Sequence, residues 1–513
     1  MMIRVGPAGH HSSLLRLVFL PCQKNPQISP TAPIAYHQLQ TLPYFQASQL
    51  IIINSKQNCN KQTKPSPKQK KEMSITKKKP ILIIGSGVSG LLLAQHLRKF
   101  NNGKPDSEKL PFQIFERDTD LTTRGLGWGL TLHWSLPAVR ALLPEDLITR
   151  LPEAYVDRVA VEVEGRASAF PFYDLSTGEL KASTPKANES DRIRVTRDKF
   201  RRLLATGLDI QWGKKATGFT THHDDDDGSE GGVTVNFDDG TSVEGSIVVA
   251  CDGANSRIRQ QLFPESKKHA IPVRLMGLKV DYTPEQYEPL RRLDPYFLQG
   301  CASENDSFCY FSTLDAPGNA GNKTGLYRTQ LAISWPLRPN FFGSAQPTDF
   351  PAVNSERIDL IKSFASSWSE PFRSLTLQIP PTTEVKCLEL SDWPPPPDFR
   401  TTGRVALLGD AFHPMVMYRG EGANHAILDV LEFVQGVLPH LYSEQLRENL
   451  DRYEESVRDR ARRGVLASRQ ACYDAHQWKR IFDEEGKSKS PLLSRRAVRV
   501  DLDEEKDLCE PEW

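Results

Sequence analysis

The sequence predicts an α/β protein with a Rossmann-like nucleotide-binding domain, an inserted and mostly β second domain, and C-terminal helices. Three observations lead to this. The apolar run Ile81-Leu82-Ile83-Ile84 passes into Gly85-Ser86-Gly87-Val88-Ser89-Gly90, Val88 to Phe100 then has helical periodicity, and Phe112 to Glu116 reads as a second strand. That is one βαβ unit. Residues 262–385 instead alternate strand-like runs, such as Phe308 to Thr313 and Thr329 to Trp335, with Pro/Gly loops. Helical periodicity returns from Asn424 to Leu438 and from Gln445 to about His476.

The other elements follow in chain order. Residues 1–77 form a basic extension without sustained period, and Lys61 to Lys71 has the composition of a solvated chain. The extension reads as dispensable, or as preceding a translation start at Met73; the competing reading is a mitochondrial targeting peptide. Residues 101–109 form a polar loop, and the alternation in Val156 to Gly165 suggests a strand. Asp198 to Leu208 reads as a helix and Asp209 to Trp212 as a short strand. His222 to Gly232, with four consecutive aspartates, reads as a solvated turn, because adjacent acids repel and lack the spacing of a calcium loop. Pro394 to Pro397 is a stiff lead-in to the buried strand ending at Leu408, and beyond residue 484 the chain becomes a charged tail.

Composition excludes several classes. The 513 residues are 38% hydrophobic and 25% charged, which suits a globular protein. No run of about 18 apolar residues occurs, so no membrane span is expected. Residues 1–79 hold twelve Lys/Arg and one acid, leaving 53 basic and 63 acidic side chains elsewhere. A mildly acidic body is a poor polyanion binder, so nucleic acid is not an expected partner. The eight cysteines, at 22, 59, 251, 301, 309, 387, 472 and 509, form no C-x-x-C pair. They read as mostly buried thiols of a reducing, cytoplasmic compartment, and no metal site is expected.

The glycine motif carries the first chemistry. Gly85 permits a tight turn, Gly87 lets backbone approach a pyrophosphate, and Gly90 lets the helix pack on the strand. Free N–H groups at the helix start favour phosphate. Glu116 ends the second strand, where a carboxylate accepts hydrogen bonds from a ribose diol; an ordinary strand-end acid is the other reading. NAD(P) and FAD share this grip.

Two later segments are Val248-Val249-Ala250-Cys251-Asp252-Gly253-Ala254-Asn255-Ser256-Arg257 and Leu407-Leu408-Gly409-Asp410-Ala411-Phe412-His413-Pro414, the latter followed by Gly420-Glu421-Gly422-Ala423-Asn424-His425. With the glycine motif, in this order, the chain resembles the FAD-dependent monooxygenases of the para-hydroxybenzoate hydroxylase type over about residues 78–480. Salicylate hydroxylase-like, zeaxanthin epoxidase-like and fungal secondary-metabolism enzymes belong there. The resemblance implies that FAD is the cofactor and that NAD(P)H is a transient co-substrate. It implies one-oxygen transfer from a C4a-hydroperoxyflavin to an aromatic or polyketide/terpenoid-like small molecule. It places Glu116 at the adenosine ribose, and Arg124, Gly127 and Gly129 beside the cofactor. Arg197 would lie near the FAD linker, and Asp410 at the ribityl chain or pyrophosphate. Gly422, Ala423 and Asn424 would turn backbone N–H groups toward the flavin pyrimidine edge. Asp252 is either near FAD and NADPH or only a brace for its turn, His413 a possible turn-filler, and Arg197 alternatively a surface ion-pair partner. Met417 stands where the family usually has proline, beside the substrate position.

No second G-x-G-x-x-G follows, so NAD(P)H has no nucleotide domain of its own. The catalytic residue is not identified by sequence; Tyr310, Tyr418, His133 and His413 are candidate bases. The expected domains are a discontinuous FAD-binding domain (78–155, 191–261 and 386–440), a substrate domain (156–190 and 262–385), C-terminal helices (441–484) packed outside, and a tail from 485. A related oxidase or reductase, or a flavin binder without turnover, are the alternatives. Small-molecule substrate and O₂ are the expected partners, and oligomeric state is not legible.

Overall fold

The computed structural model describes residues 78–511 apart from 126, 188, 223–230, 489, 495–501 and 503. The basic extension and most of the aspartate-rich turn therefore lie outside the described residues.

The first layer is a five-stranded parallel sheet in the order Val405–Leu407, Ile247–Ala250, Ile81–Ile84, Phe112–Glu116, Ile210–Trp212. Ile81, Leu82 and Ile83 in its central strand are fully buried, as a strand covered on both faces demands. The helices Val88–Asn101 and Gly422–Glu432 pack together over it. The chain visits this sheet in separate passes because each strand is chosen by burial of an apolar run rather than by sequence proximity.

The second layer is a seven-stranded sheet in the order Val385–Asp392, His269–Tyr282, Tyr327–Pro336, Phe308–Asp315, Phe297–Cys301, Phe172–Asp174, Leu180–Ala182. All its pairings are antiparallel except Phe297–Cys301 with Phe172–Asp174. The stretch expected as strands and loops also contains helices Pro284–Leu293, Asn354–Ala365 and Phe372–Leu377, which cover the outer face. A two-stranded antiparallel ribbon, Gly129–Leu132 with Ile193–Thr196, lies between the layers. A hairpin of Ala216–His222 and Gly232–Phe237, extended by Ser242–Gly245, flanks the first sheet and carries the aspartate-rich connection.

Four expectations are corrected. The alternating Val156 to Gly165 contains a helix at Arg158–Glu162, because the Asp157 side chain caps it by accepting from the Ala160 N–H and Arg158 pairs with Glu162 one turn on. The helix read to Leu208 ends at Leu204. The boundary expected at 386 falls inside Val385–Asp392, which pairs with His269–Tyr282 in the second sheet, so the chain rejoins the first sheet only afterwards. Finally, the C-terminal helix Leu446–Asp474 does not stay outside. Every residue from Gly464 to Asp474 is buried, because its first half covers the parallel sheet while its second half enters the core beneath the large one. Of the six described cysteines, all unbridged, Cys301, Cys309 and Cys472 are buried, Cys251 and Cys387 are partly buried, and Cys509 is exposed.

Candidate active site

The C-terminal ends of the parallel strands and the inner face of the large sheet enclose one cavity of about 890 Å³. The crevice at the strand ends is the ordinary ligand position of an open α/β sheet. Of the cofactor residues expected from sequence, Gly85, Gly87, Glu116, Arg124, Gly129, Arg197, Asp252, Asp410, Gly422 and Ala423 line it. Gly90, Gly127 and Asn424 do not, and each stands behind a residue that does.

The strand-to-helix turn shows why its glycines are there. Gly85 has φ +106°, and a Cβ on it would lie 2.4 Å from the Cys251 carbonyl oxygen. A Cβ on Gly90 would lie 2.0 Å from the Gly85 carbonyl oxygen. At Gly87 a Cβ would meet nothing within 4 Å, so the backbone faces open cavity. Two buried charges fix this turn. Glu116 accepts from the Ser86 N–H at 2.7 Å and its hydroxyl at 2.8 Å, and Arg201 donates to the Ser86 carbonyl at 2.9 Å. Glu116 also accepts from the Asp118 N–H, and Arg124 binds Asp118 through two nitrogens. Part of Glu116's capacity is thus spent on the protein itself.

At the next strand end Asp252 does brace its turn, accepting from the Arg257 N–H at 2.9 Å, while its carboxyl lines the cavity and burial raises its pKa. Asp410 follows the third strand. Its carbonyl accepts from Arg259, and its exposed carboxylate points into the cavity. Burial pulls the Arg197 guanidinium down, as do Arg124 and Arg201, against the attraction of Asp410. Arg117, Arg124, Arg197, Lys214, Lys215 and Arg257 line the cavity against three carboxylates, Glu116, Asp252 and Asp410. That surplus of cations suits a diphosphate.

The helix Gly422–Glu432 presents its uncapped first turn to the same cavity. Asn424 is fully buried, accepts from the His133 N–H and the Ser135 hydroxyl, and donates to the Thr131 carbonyl. Its side chain stitches the ribbon to the helix start. Behind the helix, Asp429 accepts from the Gly409 N–H at 2.7 Å, His413 at 2.7 Å and Arg460 at 2.8 Å. Burial works to raise the Asp429 pKa, but His413 and Arg460 hold it well below the usual carboxylate range.

The opposite wall belongs to the large sheet. Gln299, Tyr310, Ala332 and Gly277 stand opposite one another across four strands. Phe170, Phe308, Leu275 and Gln330 widen this wall. Trp128 lies on Gly277, where a Cβ would fall 2.2 Å from its ring, and Gln330 accepts from the Gly129 N–H at 3.0 Å. The loop through Gly127 and Gly129 is thereby clamped between the layers. Of the four candidate bases, Tyr310 and Tyr418 line the cavity, whereas His133 and His413 do not.

Tyr418 begins a buried chain. Its hydroxyl donates to Ser334 at 2.8 Å, Ser334 lies 2.9 Å from His476 Nε2, and His476 Nδ1 lies 2.6 Å from the Cys472 carbonyl. A carbonyl only accepts, so Nδ1 carries the proton and Nε2 accepts from Ser334. Burial lowers the His476 pKa from 6.5 to about 4. The unfolded chain therefore takes up a proton between pH 6.5 and 4 that the folded one refuses. Stability from this group is full above pH 6.5 and falls by up to about 3 kcal/mol toward pH 4. His476→Gln is expected to flatten that part of a urea-midpoint profile against pH; an unchanged slope would refute it.

Sequence reasoning missed Arg201, Asp429, Trp128, Gln330 and Arg194. A charge inside an otherwise apolar helix, Asp429 in Ala426-Ile427-Leu428-Asp429-Val430-Leu431, was the one available signal. Among the described residues no group of three or more His, Cys, Asp or Glu is placed to hold a metal, and no helix is long and apolar enough to cross a membrane.

Comparison with known proteins bears on this cavity. The FAD binding domain family matches residues 173–300 and 396–468. A "Probable FAD-dependent monooxygenase" of Arthroderma benhamiae is 38% identical over 441 residues, covering 82% of this chain and 96% of that one. The chain belongs to the FAD-dependent monooxygenase family. Within it, FAD-dependent monooxygenase tazP of Aspergillus terreus is 34% identical over 71% of this chain and 90% of its own. Among solved structures, HpxO of Klebsiella pneumoniae complexed with FAD and uric acid has a TM-score of 0.57 at 18% identity, over 78% of this chain and 90% of its own. The 2,6-dihydroxypyridine-3-hydroxylase of Arthrobacter nicotinovorans has a TM-score of 0.56 at 19% identity, over 78% and 93%. These likenesses carry the fold. The cofactor of this FAD-dependent monooxygenase is FAD, and the open face at Gly87, the cation surplus and the uncapped helix are the features such a molecule requires.

Proposed function

We propose that this chain is a single-component monooxygenase that takes electrons from NAD(P)H and places one atom of O₂ into an aromatic or polyketide/terpenoid-like small molecule. One observation carries the reading. The phosphate-suited end at Gly87 and the aromatic wall at Phe170, Phe308 and Tyr310 belong to one continuous cavity. The absence of a second G-x-G-x-x-G from the sequence supports a visiting reductant rather than a second bound nucleotide.

Gly85, Gly87 and the start of helix Val88–Asn101 would hold the pyrophosphate, Glu116 and Arg124 the adenosine end, and Arg197 and Asp410 the linker. Gly422 and Ala423 would offer N–H groups to the ring, while Gly90, Gly127 and Asn424 support those positions from behind. When bound, FAD supplies hydride acceptance and oxygen activation. The protein positions the substrate ring against the row Gln299, Tyr310 and Ala332. Trp128, Phe170 and Phe308 keep water from the reacting atoms. The first turn of helix Gly422–Glu432 favours negative charge on the group it faces. The Tyr418–Ser334–His476 chain offers a hydroxyl at the wall with a neutral acceptor behind it. We assign the passes through the parallel sheet to an FAD-binding domain and the seven-stranded sheet with its helices to a substrate domain.

Purified protein is expected to be yellow, to consume NAD(P)H and O₂ faster with substrate, and to yield a product carrying one atom from labelled O₂. Asp410→Ala, which removes a carboxylate facing the cavity, is expected to weaken FAD retention by about 10- to 100-fold. Full flavin occupancy in that variant, measured by visible absorbance after gel filtration, would contradict the assignment.

A further inference from the structure

Arg194 lies in Ile193–Thr196, is only 8% exposed, and is one of the residues that line the cavity. Two nitrogens donate to neutral hydroxyls, Thr131 at 2.9 Å and Ser312 at 2.7 Å. The Nε–H is buried with no partner. Among the described residues Arg194 forms no ion pair, unlike Arg201 and Arg291. Its carbon centre lies 5.2 Å from the Phe297 ring and 5.8 Å from the Tyr310 ring. A Cβ on Gly129 would strike its terminal nitrogen at 2.1 Å, so the absence of a side chain there makes room for the guanidinium.

An arginine keeps its charge even where burial disfavours it. Burying a cation without an ion pair is costly. The protein nevertheless holds this one rigidly, with two hydroxyls, two rings and a glycine, at the aromatic end of the cavity. Asp294 attracts the guanidinium without forming an ion pair with it, and the hydroxyls and amides of Ser312, Thr131, Gln299 and Gln330 are neutral, so an anion in direct contact has to arrive with a ligand.

We propose that Arg194 is the specificity-determining anchor for an anionic oxygen, a carboxylate or ionised ring hydroxyl, on the aromatic substrate. This rests on the reading of the cavity as the site of flavin-dependent oxygen transfer and names the substrate class for it. Such an anchor would fix which ring edge meets the cofactor, because a charge-assisted pair orients as well as binds. The other source of negative charge in the cavity is FAD itself, and the test separates the two.

Benzoate and benzamide, near-isosteric and differing in charge, are titrated into the FAD-loaded protein, with binding read by calorimetry and by perturbation of the flavin absorbance. Wild type is expected to prefer benzoate by at least about 10-fold. Arg194→Met is expected to erase the preference at unchanged FAD stoichiometry and probe-free spectrum, and Arg194→Lys to keep part of it. Ser312→Ala, a milder change that loosens the guanidinium, is expected to lower the preference several-fold and serves if Arg194→Met does not fold. Equal affinities in wild type, or no benzoate binding up to about 20 mM, would overturn the proposal. So would a preference that survives Arg194→Met or, should that variant not fold, Ser312→Ala. So would a probe-free change in flavin spectrum in Arg194→Lys with the preference intact, since the guanidinium would then serve the cofactor. Wild-type protein that never retains FAD would instead defeat the functional reading on which the inference stands.

Discussion

Gly90→Ala is expected to cost the protein most of its folding stability, while Gly87→Ala, three residues earlier in the same motif, is expected to leave stability intact and damage only cofactor binding. At Gly90 the added methyl would sit 2.0 Å from the Gly85 carbonyl oxygen and 3.2 Å from Ile83 Cγ2. The first neighbour is backbone, so no rotamer change relieves the contact. Helix Val88–Asn101 would have to lift off strand Ile81–Ile84, opening a core in which Leu91, Leu92 and Leu93 are fully buried. Overpacking of this kind costs roughly 3 kcal/mol or more. At Gly87 the methyl would meet no protein atom within 4 Å and would occupy space that a pyrophosphate needs. Urea midpoints of both variants, with FAD content of the native fractions, check the contrast. Equal midpoints would show that the helix rides higher on the sheet than described.

The second large effect is expected at Asp429. Asp429→Ala removes the acceptor of three bonds, from the Gly409 N–H, His413 and Arg460, in a fully buried position. Arg460 would retain Glu432 at 3.2 Å and lose its closer partner. Breaking a buried charge pair from one side costs about 3–5 kcal/mol. The loss extends to binding, because Gly409 begins the turn that carries Asp410 to the cavity. Asp429→Asn, which keeps an acceptor for the Gly409 N–H, is expected to lose less stability and less FAD. Thermal unfolding together with flavin occupancy tests the order. If both variants match wild type in both readouts, Asp429 does not support the site.

The local parts of the site were legible where a requirement is imposed by neighbours in sequence. The Gly85 to Gly90 turn, its following helix and the strand ending in Glu116 all obey short-range backbone rules, so their residue types alone announced them. Asp252 and Asp410 were legible for the same reason, each closing a buried apolar strand with a turn. The helix Arg158–Glu162 was not, because its alternating valines satisfy a strand pattern while a single capping aspartate decides for helix. The long C-terminal helix was legible as a helix but not in its depth, since no local pattern tells which second layer will close over residues 464–474.

Sequence alone thus determined that a glycine-rich strand-to-helix turn of dinucleotide-binding type exists and which strands lead to it. Those facts depend on backbone freedom and apolar runs, which are local. Tertiary structure decided what each charge faces. Glu116 shares its oxygens with Ser86 and Asp118, Asn424 turns away to hold the ribbon, and Asp429 gathers three partners from distant segments. It also left Arg194 buried without an ion pair among the described residues, a property that exists only once the second sheet closes over the first. Burial and pairing of charges are sums over the whole surrounding shell, and that shell is assembled from residues far apart along the chain.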